Sequence, residues 1–168
     1  MADVEIRPAR PEEWAEVGGL RWDSVADLGG VAVDPREVFA AAFARWAGEH
    51  ADGHECIVAV AGDRVVGMMW LAIVPRVPSA KSFDRASGDL QCAYVVPELR
   101  NRGIGGRLME AVLARARDLG LERVTVHSSP RAVPAYERHG FAPEDRLLHT
   151  YLTNASSVNP RSDGVSPD

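Results

Sequence analysis

The sequence has few cysteines, no excess of basic residues and no long hydrophobic run, and each shortage excludes a class of protein. Its two cysteines, Cys56 and Cys92, form no Cys-x-x-Cys pair or His/Cys cluster, so neither a disulfide framework nor a metal site is expected. Both lie in apolar runs, which predicts reduced cysteines in the core. The net charge of −5 argues against nucleic acid as a partner, because phosphate binding requires a basic face.

No apolar stretch is long enough to span a membrane and no signal peptide is found, so we expect a cytoplasmic protein without a membrane partner. What the sequence does contain is an ordinary globular composition of 168 residues, 46% hydrophobic and 26% charged, which suits one domain with a proper core. After Thr153 the chain is mainly Ser, Asn, Pro, Gly and Asp, with almost nothing to bury. We therefore expect a single domain over residues 1–153 and a disordered tail over residues 154–168.

Hydrophobic periodicity predicts an α/β fold with a mixed sheet and the element order β-α-α-β-β-β-α-β-α-β. Gly62-Asp63 separates two apolar, β-prone runs and therefore predicts a hairpin, whereas the Pro- and Ser-containing segment 75–88 predicts an exposed loop. The predicted strands cover residues 4–7, 55–61, 65–74, 89–96, 123–127 and 147–153, and the predicted helices begin near residues 11, 35, 103 and 132.

The most informative stretch runs from Leu90 to Met109. There an apolar strand stops at Pro97, and a loop dense in Arg and Gly opens an amphipathic helix. Glycines let backbone N–H groups approach a ligand, and a helix N-terminus carries partial positive charge, so this arrangement predicts an anion site. No Gly-Lys-Ser/Thr follows the glycines, and their spacing does not match G-x-G-x-x-G. A P-loop and a dinucleotide fingerprint are therefore disfavoured.

What remains is the pattern R-x-x-G-x-G over residues 100–105, preceded by V-x-P over residues 95–97. This pattern resembles the acetyl-CoA-binding signature of the GNAT superfamily of N-acetyltransferases. Residues 132–141 likewise resemble the GNAT pattern A-x-x-x-Y-E-x-x-G-F. The resemblance covers nearly the whole chain up to about Leu152. It implies a mixed, mostly antiparallel sheet that is flanked by helices, with strands splayed at the acetyl-CoA site.

The same resemblance implies how acetyl-CoA binds as cosubstrate. Its pantetheine arm would pair with the backbone of the central strand, and its pyrophosphate would lie on N–H groups of the glycine loop. Gly103 and Gly105 are the critical positions, since a Cβ there would collide with phosphate. Arg100 and Arg102 either add positive charge or are solvated loop arginines. The implied binding residues are Ala93, Tyr94, Val95, Arg100, Asn101, Arg102, Gly103, Ile104, Gly105 and Gly106.

Two residues are candidates for catalysis. The GNAT tyrosine that aligns with Tyr136 protonates the departing CoA thiolate, and a phenol with a pKa of about 10 suits that task, although Tyr136 could instead be a packing residue. Asp89 aligns with a glutamate base of some GNAT members and would act through water, unless it is only a solvated strand end. His127 is the rival base, or a hydrogen-bonded histidine at a strand terminus. Strict strand alternation would place Asp89 and Tyr94 on opposite faces of the sheet.

We therefore expect an enzyme that moves an acetyl group from acetyl-CoA to a primary amine of a small molecule by direct attack. No nucleophilic Ser or Cys signature points to a covalent intermediate. Two alternatives stay open: a non-catalytic acyl-CoA sensor, and an acetyltransferase that acts on a protein N-terminus or lysine. Trp22, Asp23, Trp70 and the loop 75–87 are the candidate acceptor-binding features. The sequence identifies neither the acceptor nor the oligomeric state, for which a homodimer is one option.

Overall fold

A computed structural model describes residues 3–150 and 152 of the chain, and this part contains five strands and four α-helices. The predicted tail over residues 154–168 lies outside the described residues. In chain order the elements are β1 (Val4–Pro8), α1 (Trp14–Asp27, after a 3-10 turn at Pro11–Glu13), α2 (Arg36–Glu49), β2 (His54–Ala61), β3 (Arg64–Pro75), β4 (Ala86–Val95), α3 (Ile104–Asp118, after a 3-10 turn at Pro97–Leu99), β5 (Val124–Val126) and α4 (Val133–Glu137).

The five strands form one sheet in the order β1-β2-β3-β4-β5. The first three pairings are antiparallel and the β4–β5 pairing is parallel, so the predicted mixed, mostly antiparallel sheet is confirmed. The predicted hairpin is also present, because Ala61 pairs with Arg64 across the two-residue turn Gly62-Asp63. Gly62 has a φ of 66°, a backbone conformation that favours glycine at this turn.

The helices cover both faces of the sheet. Trp70 of β3 points to one face, where its ring centroid is 5.6 Å from that of Trp14 in α1 and 5.5 Å from that of Phe43 in α2. A Cβ added to Gly67 would project from the other face, where it would lie 3.3 Å from Leu108 Cδ1 of α3. We call these the α1–α2 face and the α3 face. The apolar row of α3, one residue per turn, is buried at Ile104, Leu108, Val112 and Ala116.

The predicted elements differ from the structure in two places. β4 begins at Ala86, so the exposed loop covers residues 76–85 and is shorter than predicted. The predicted strand over residues 147–153 is wrong where it can be examined, because residues 147–150 and 152 adopt no strand. The leucines there are largely exposed, so the segment lacks the partner strand that would bury them. Within the described residues, no helix has the length and apolar character needed to cross a membrane.

Candidate functional site

The sheet opens between β4 and β5. The two strands pair only from Gly88 to Leu90, opposite Val124 to Val126, although β4 continues to Val95. The stretch Gln91–Val95 therefore has no pairing partner on this side among the residues that the structure describes. We call this gap the β4–β5 splay. It is the feature that the family resemblance implied at the acetyl-CoA site.

The backbone of β4 offers hydrogen-bonding groups to the splay at alternate residues. The N–H of Val96 donates to Val66 of β3 at 3.0 Å, so Val96 and, by alternation, Tyr94 direct their backbone groups toward β3. Ala93 and Val95 then direct theirs into the splay. A side-chain nitrogen, Arg100 Nε, already donates to the carbonyl of Val95 at 2.9 Å, which agrees with this orientation. Of the predicted backbone-binding residues 93–95, Ala93 and Val95 direct their backbone groups into the splay, whereas Tyr94 directs its groups toward β3.

A bulge interrupts the alternation of side chains along β4. Trp70 pairs with Cys92 but the next residue of β3, Leu71, pairs with Leu90, so Gln91 is an extra residue in β4. An extra residue reverses which face the following side chains occupy.

Because of this reversal, Asp89 and Tyr94 lie on the same face of the sheet. Asp89 pairs with Ala72 and Tyr94 pairs with Met68, and both partners belong to the α1–α2 face of β3. The prediction that Asp89 and Tyr94 occupy opposite faces is therefore wrong. It assumed an unbroken strand, and no local sequence signal marks the bulge.

The loop after β4 forms an open helix N-terminus. Gly103 precedes α3 with a φ of 78°, and Asn101 has a φ of 60°, so the loop turns through the left-handed region twice. The N–H of Arg107 donates to the carbonyl of Gly103 at 3.1 Å. The three N–H groups before it, at Ile104, Gly105 and Gly106, have no acceptor within the helix.

This N-terminus can hold an anion. Among the described residues no side chain caps Gly103, and the first turn of α3 contains no acidic residue. A Cβ at Gly103 or Gly105 would meet no atom of the described residues within 4 Å, so there is space next to the free N–H groups. At Gly106 the nearest atom would be Nε2 of His139, at 3.5 Å. The free N–H donors, the partial positive charge of the helix N-terminus and the space beside it are all compatible with the pyrophosphate of acetyl-CoA.

The two loop arginines differ. Arg100 forms an ion pair with Asp27 of α1, donates to Val95 and lies 5.3 Å above the ring centroid of Tyr94. In this arrangement its guanidinium ties α1 to the end of β4. Arg102 is exposed and has no ion-pair partner in the described range. Of the two predicted cosubstrate-binding arginines, Arg102 is the one free to reach a phosphate.

Tyr136 lies on the β5 side of the splay, in α4. Its ring packs edge-to-face against Phe141 at 5.4 Å, and its side chain is partly buried. Burial, and to a smaller extent the neighbouring Cys92 thiol, raises the pKa of the Tyr136 hydroxyl above its ordinary value. Tyr136 lines the cleft beside β5 together with Val126 and His127, and the influence of Cys92 on its pKa agrees with a position near the unpaired stretch of β4. A tyrosine that keeps its proton at neutral pH can donate it to a leaving thiolate.

Asp89 and His127 occupy different positions relative to the splay. Thr125 Oγ1 donates to Asp89 Oδ1 at 3.1 Å, so the carboxylate bridges β4 and β5 next to their last pair. His127 follows β5 and lines an open cleft of about 1340 Å³ together with Tyr136. Its ring centroid is 6.3 Å from that of His149. Asp89 therefore lies at the point where the strands separate, and His127 lies beyond the end of β5.

A family model described as "Acetyltransferase (GNAT) family" matches residues 20–141. The chain belongs to the GNAT acetyltransferase family. The matched range includes the splay, the open N-terminus of α3 and Tyr136. Members of this family generally use acetyl-CoA. Among residues 3–150 and 152, no group of three or more His, Cys, Asp or Glu side chains could hold a metal ion.

Several relatives agree with this assignment. The chain is 31% identical over 89 residues to a glucosamine 6-phosphate N-acetyltransferase of Trypanosoma brucei brucei, covering 53% of this chain and 58% of that protein. It is 38% identical over 80 residues to an amino-acid acetyltransferase of Pseudomonas putida, covering 43% of this chain and 18% of that protein. The chain thus spans only part of the length of these relatives.

The fold is shared with solved GNAT structures. A crystal structure described as a predicted acetyltransferase with acetyl-CoA, from Clostridium acetobutylicum, superposes with a TM-score of 0.72 at 16% identity. The superposition covers 89% of this chain and 96% of that chain. At this level of identity the similarity concerns the fold.

The structure gives the predicted acceptor-binding side chains partners within the protein or buries them. Trp22 Nε1 donates to the carbonyl of Asp34 at 2.9 Å, and Asp23 accepts two hydrogen bonds from Arg36 at 2.8 Å each. Trp70 is 4% exposed, beneath α1 and α2. Trp70 is therefore closed off from an acceptor by the described residues, and the polar groups of Trp22 and Asp23 already have partners.

Two residues of α1 beside the splay escaped the sequence analysis. Asp27 forms an ion pair with Arg100. Burial raises the pKa of the Tyr94 hydroxyl, and the nearby carboxylate of Asp27 raises it further. Arg21 lies close enough to Cys92 for its charge to lower the thiol pKa, although burial raises that pKa overall. The sequence signal that could have pointed to Arg21 is helical periodicity, because Arg21 directly follows the buried Leu20 in α1.

Proposed function

We propose that this protein is an acetyl-CoA-dependent N-acetyltransferase that transfers the acetyl group to a primary amine of a small molecule. The observation that carries the proposal is the alignment of three features along one path. These are the backbone groups that Ala93 and Val95 direct into the splay, the N-terminus of α3, which no described side chain caps, and Tyr136 on the far side of the splay. A thioester cosubstrate with a pyrophosphate at one end matches this path in chemistry.

Each feature has one task in binding. Ala93 and Val95 pair with the amide groups of the pantetheine arm as a neighbouring strand would. The N–H groups of Ile104, Gly105 and Gly106 bind pyrophosphate oxygens, and Arg102 adds charge from the loop. Because backbone groups supply most of these contacts, the role of the glycines is to leave space for the ligand next to those groups.

The proposed reaction is a direct transfer. The amine nitrogen forms a bond to the thioester carbonyl carbon, and the carbon–sulfur bond breaks. Tyr136 then donates its proton to the leaving thiolate, which gives the CoA thiol. Asp89 accepts the proton that the amine loses, through a water molecule, because an aspartate at the strand junction is short. Both residues lie at the splay, where the thioester would be held.

The choice of a small-molecule acceptor is supported by the relatives. Those with named acceptors act on a hexosamine phosphate and on amino acids, as their names state. Because the chain covers only part of these proteins, their substrates are carried over here as a proposal.

An acetyl-CoA turnover screen tests the function. Release of CoA thiol is measured against a panel of amino sugars, amino acids, aminoglycosides and lysine-containing peptides, with binding of acetyl-CoA followed separately by thermal shift. Turnover of small amines supports the proposal, and turnover of peptides alone would replace it with protein acetylation. Binding of acetyl-CoA without turnover of any amine would instead indicate an acyl-CoA sensor.

A further inference from the structure

The C-terminal half of α1 lies beside the splay and carries charged side chains. Ser24 in this half and Leu20 just before it are buried, and the helix packs across β3 and β4. Arg21 lies on the same flank, where Arg21 Nη1 donates to Ser24 Oγ at 2.9 Å. The influence of its charge on Cys92 agrees with a guanidinium directed at the unpaired stretch of β4.

The other charges of this half-helix are neutralised. Asp23 is paired with Arg36, and Asp27 is paired with Arg100. By contrast, no carboxylate of the described residues lies within ion-pairing distance of Arg21. The part of α1 that borders the splay therefore presents one uncompensated charge, and that charge is positive. Such a charge favours a negative group in a bound ligand.

The bulge at Gln91 brings a carboxylate to the same face of the sheet. Asp89 occupies the α1–α2 face at the junction of β4 and β5, and Cys92 occupies that face further along β4, where α1 packs on the strand. A ligand on this face meets a carboxylate at the reacting end and a guanidinium further along the strand. An amine that carries its own oxyanion is complementary to both groups.

We propose that the acceptor carries a carboxylate or phosphate in addition to its amine, and that Arg21 binds this oxyanion. The inference rests on the proposed acetyltransferase function and narrows its substrate class. Arg21 is then a specificity-determining residue, since it contacts a part of the acceptor that does not react. Its contribution is to binding of the acceptor, so removing it should raise KM more than it lowers kcat.

The test compares matched pairs of amines that differ in the anion alone. One arm uses glucosamine 6-phosphate against glucosamine, and the other uses amino acids against their carboxamides, which separates phosphate from carboxylate as the recognised group. In the parent protein we expect kcat/KM to favour the anionic member of at least one pair by tenfold or more. In Arg21→Gln that preference should fall by about ten- to a hundredfold, the usual size of a hydrogen bond to a charged group. Arg21→Lys should retain part of it.

Arg45→Gln is the matched control, because Arg45 is an exposed arginine of α2 that undergoes the same chemical change. The control should keep the parental preference. Equal kcat/KM values for both members of every pair, or a preference that survives in Arg21→Gln, would overturn the inference while leaving the acetyltransferase function intact. Absence of turnover with every amine, charged or neutral, would overturn the proposed function and this inference with it.

Discussion

Replacing Gly105 with alanine separates binding of acetyl-CoA from folding. Gly105 is the second residue of α3, its φ is not positive, and a Cβ there would contact no protein atom within 4 Å. Alanine is a better helix former than glycine by up to about 1 kcal/mol. For a protein of this size that corresponds to an increase in melting temperature of up to about 4 °C without ligand. We expect the added methyl group to collide with a pyrophosphate that is bound at these N–H groups.

The expected ligand effect follows from mass action. At a concentration about a hundred times Kd, acetyl-CoA stabilises the parent by about 2.7 kcal/mol, or roughly 5 to 10 °C. If Gly105→Ala weakens binding about a hundredfold, the same concentration contributes only about 0.4 kcal/mol, or roughly 1 °C. The variant should therefore melt at least as high as the parent without ligand and below it with ligand. Differential scanning fluorimetry with and without acetyl-CoA measures both quantities.

Gly48→Ala is the control for this experiment. Gly48 lies near the end of α2, and a Cβ there would also meet no atom within 4 Å. It should gain similar stability and keep the parental ligand shift. If Gly105→Ala also keeps the full ligand shift, the N-terminus of α3 does not bind the pyrophosphate.

Three further substitutions test the rest of the site and the core. Tyr136→Phe should lower turnover by roughly ten- to a thousandfold while acetyl-CoA affinity persists, since it removes the proposed acid and little volume. Burial raises the pKa of Tyr136, so the alkaline limb that this variant alters should lie at higher pH than an ordinary tyrosine would give, and unchanged rates would remove Tyr136 from the mechanism. Asp89→Asn should lower kcat by about tenfold or more in the same thiol-release assay. If the variant keeps the parental kcat, His127 or water alone removes the proton from the amine. Leu108→Ala should lower the free energy of unfolding, measured by urea titration, by about 2–5 kcal/mol, because this α3 side chain is fully buried against the sheet. A loss below about 1 kcal/mol would contradict that packing.

Local patterns in the sequence are sufficient for much of the fold and for the glycine-rich loop at the start of α3. Period-two runs and the turn Gly62-Asp63 predict the β2–β3 hairpin, and the apolar row of α3 predicts its buried face. The glycines at 103 and 105 predict an anion site because backbone conformation and helix polarity depend only on neighbouring residues. The predicted strand over 147–153 shows the limit of this reasoning. A strand needs a partner, and β-prone composition alone does not supply one.

The sequence by itself thus determined the order of the helices and strands up to α4, the hairpin, and the glycine loop at the start of α3. Tertiary structure alone decided which side chains meet at the splay. The bulge at Gln91 reversed the faces of β4 and so placed Asp89 beside the residues of the α1–α2 face. Packing of α1 across β4 leaves Asp23 and Asp27 in ion pairs and Arg21 without an ion-pair partner among the described residues. These outcomes depend on contacts between segments far apart in the chain, whose registers and ion pairs are selected by packing of the whole core.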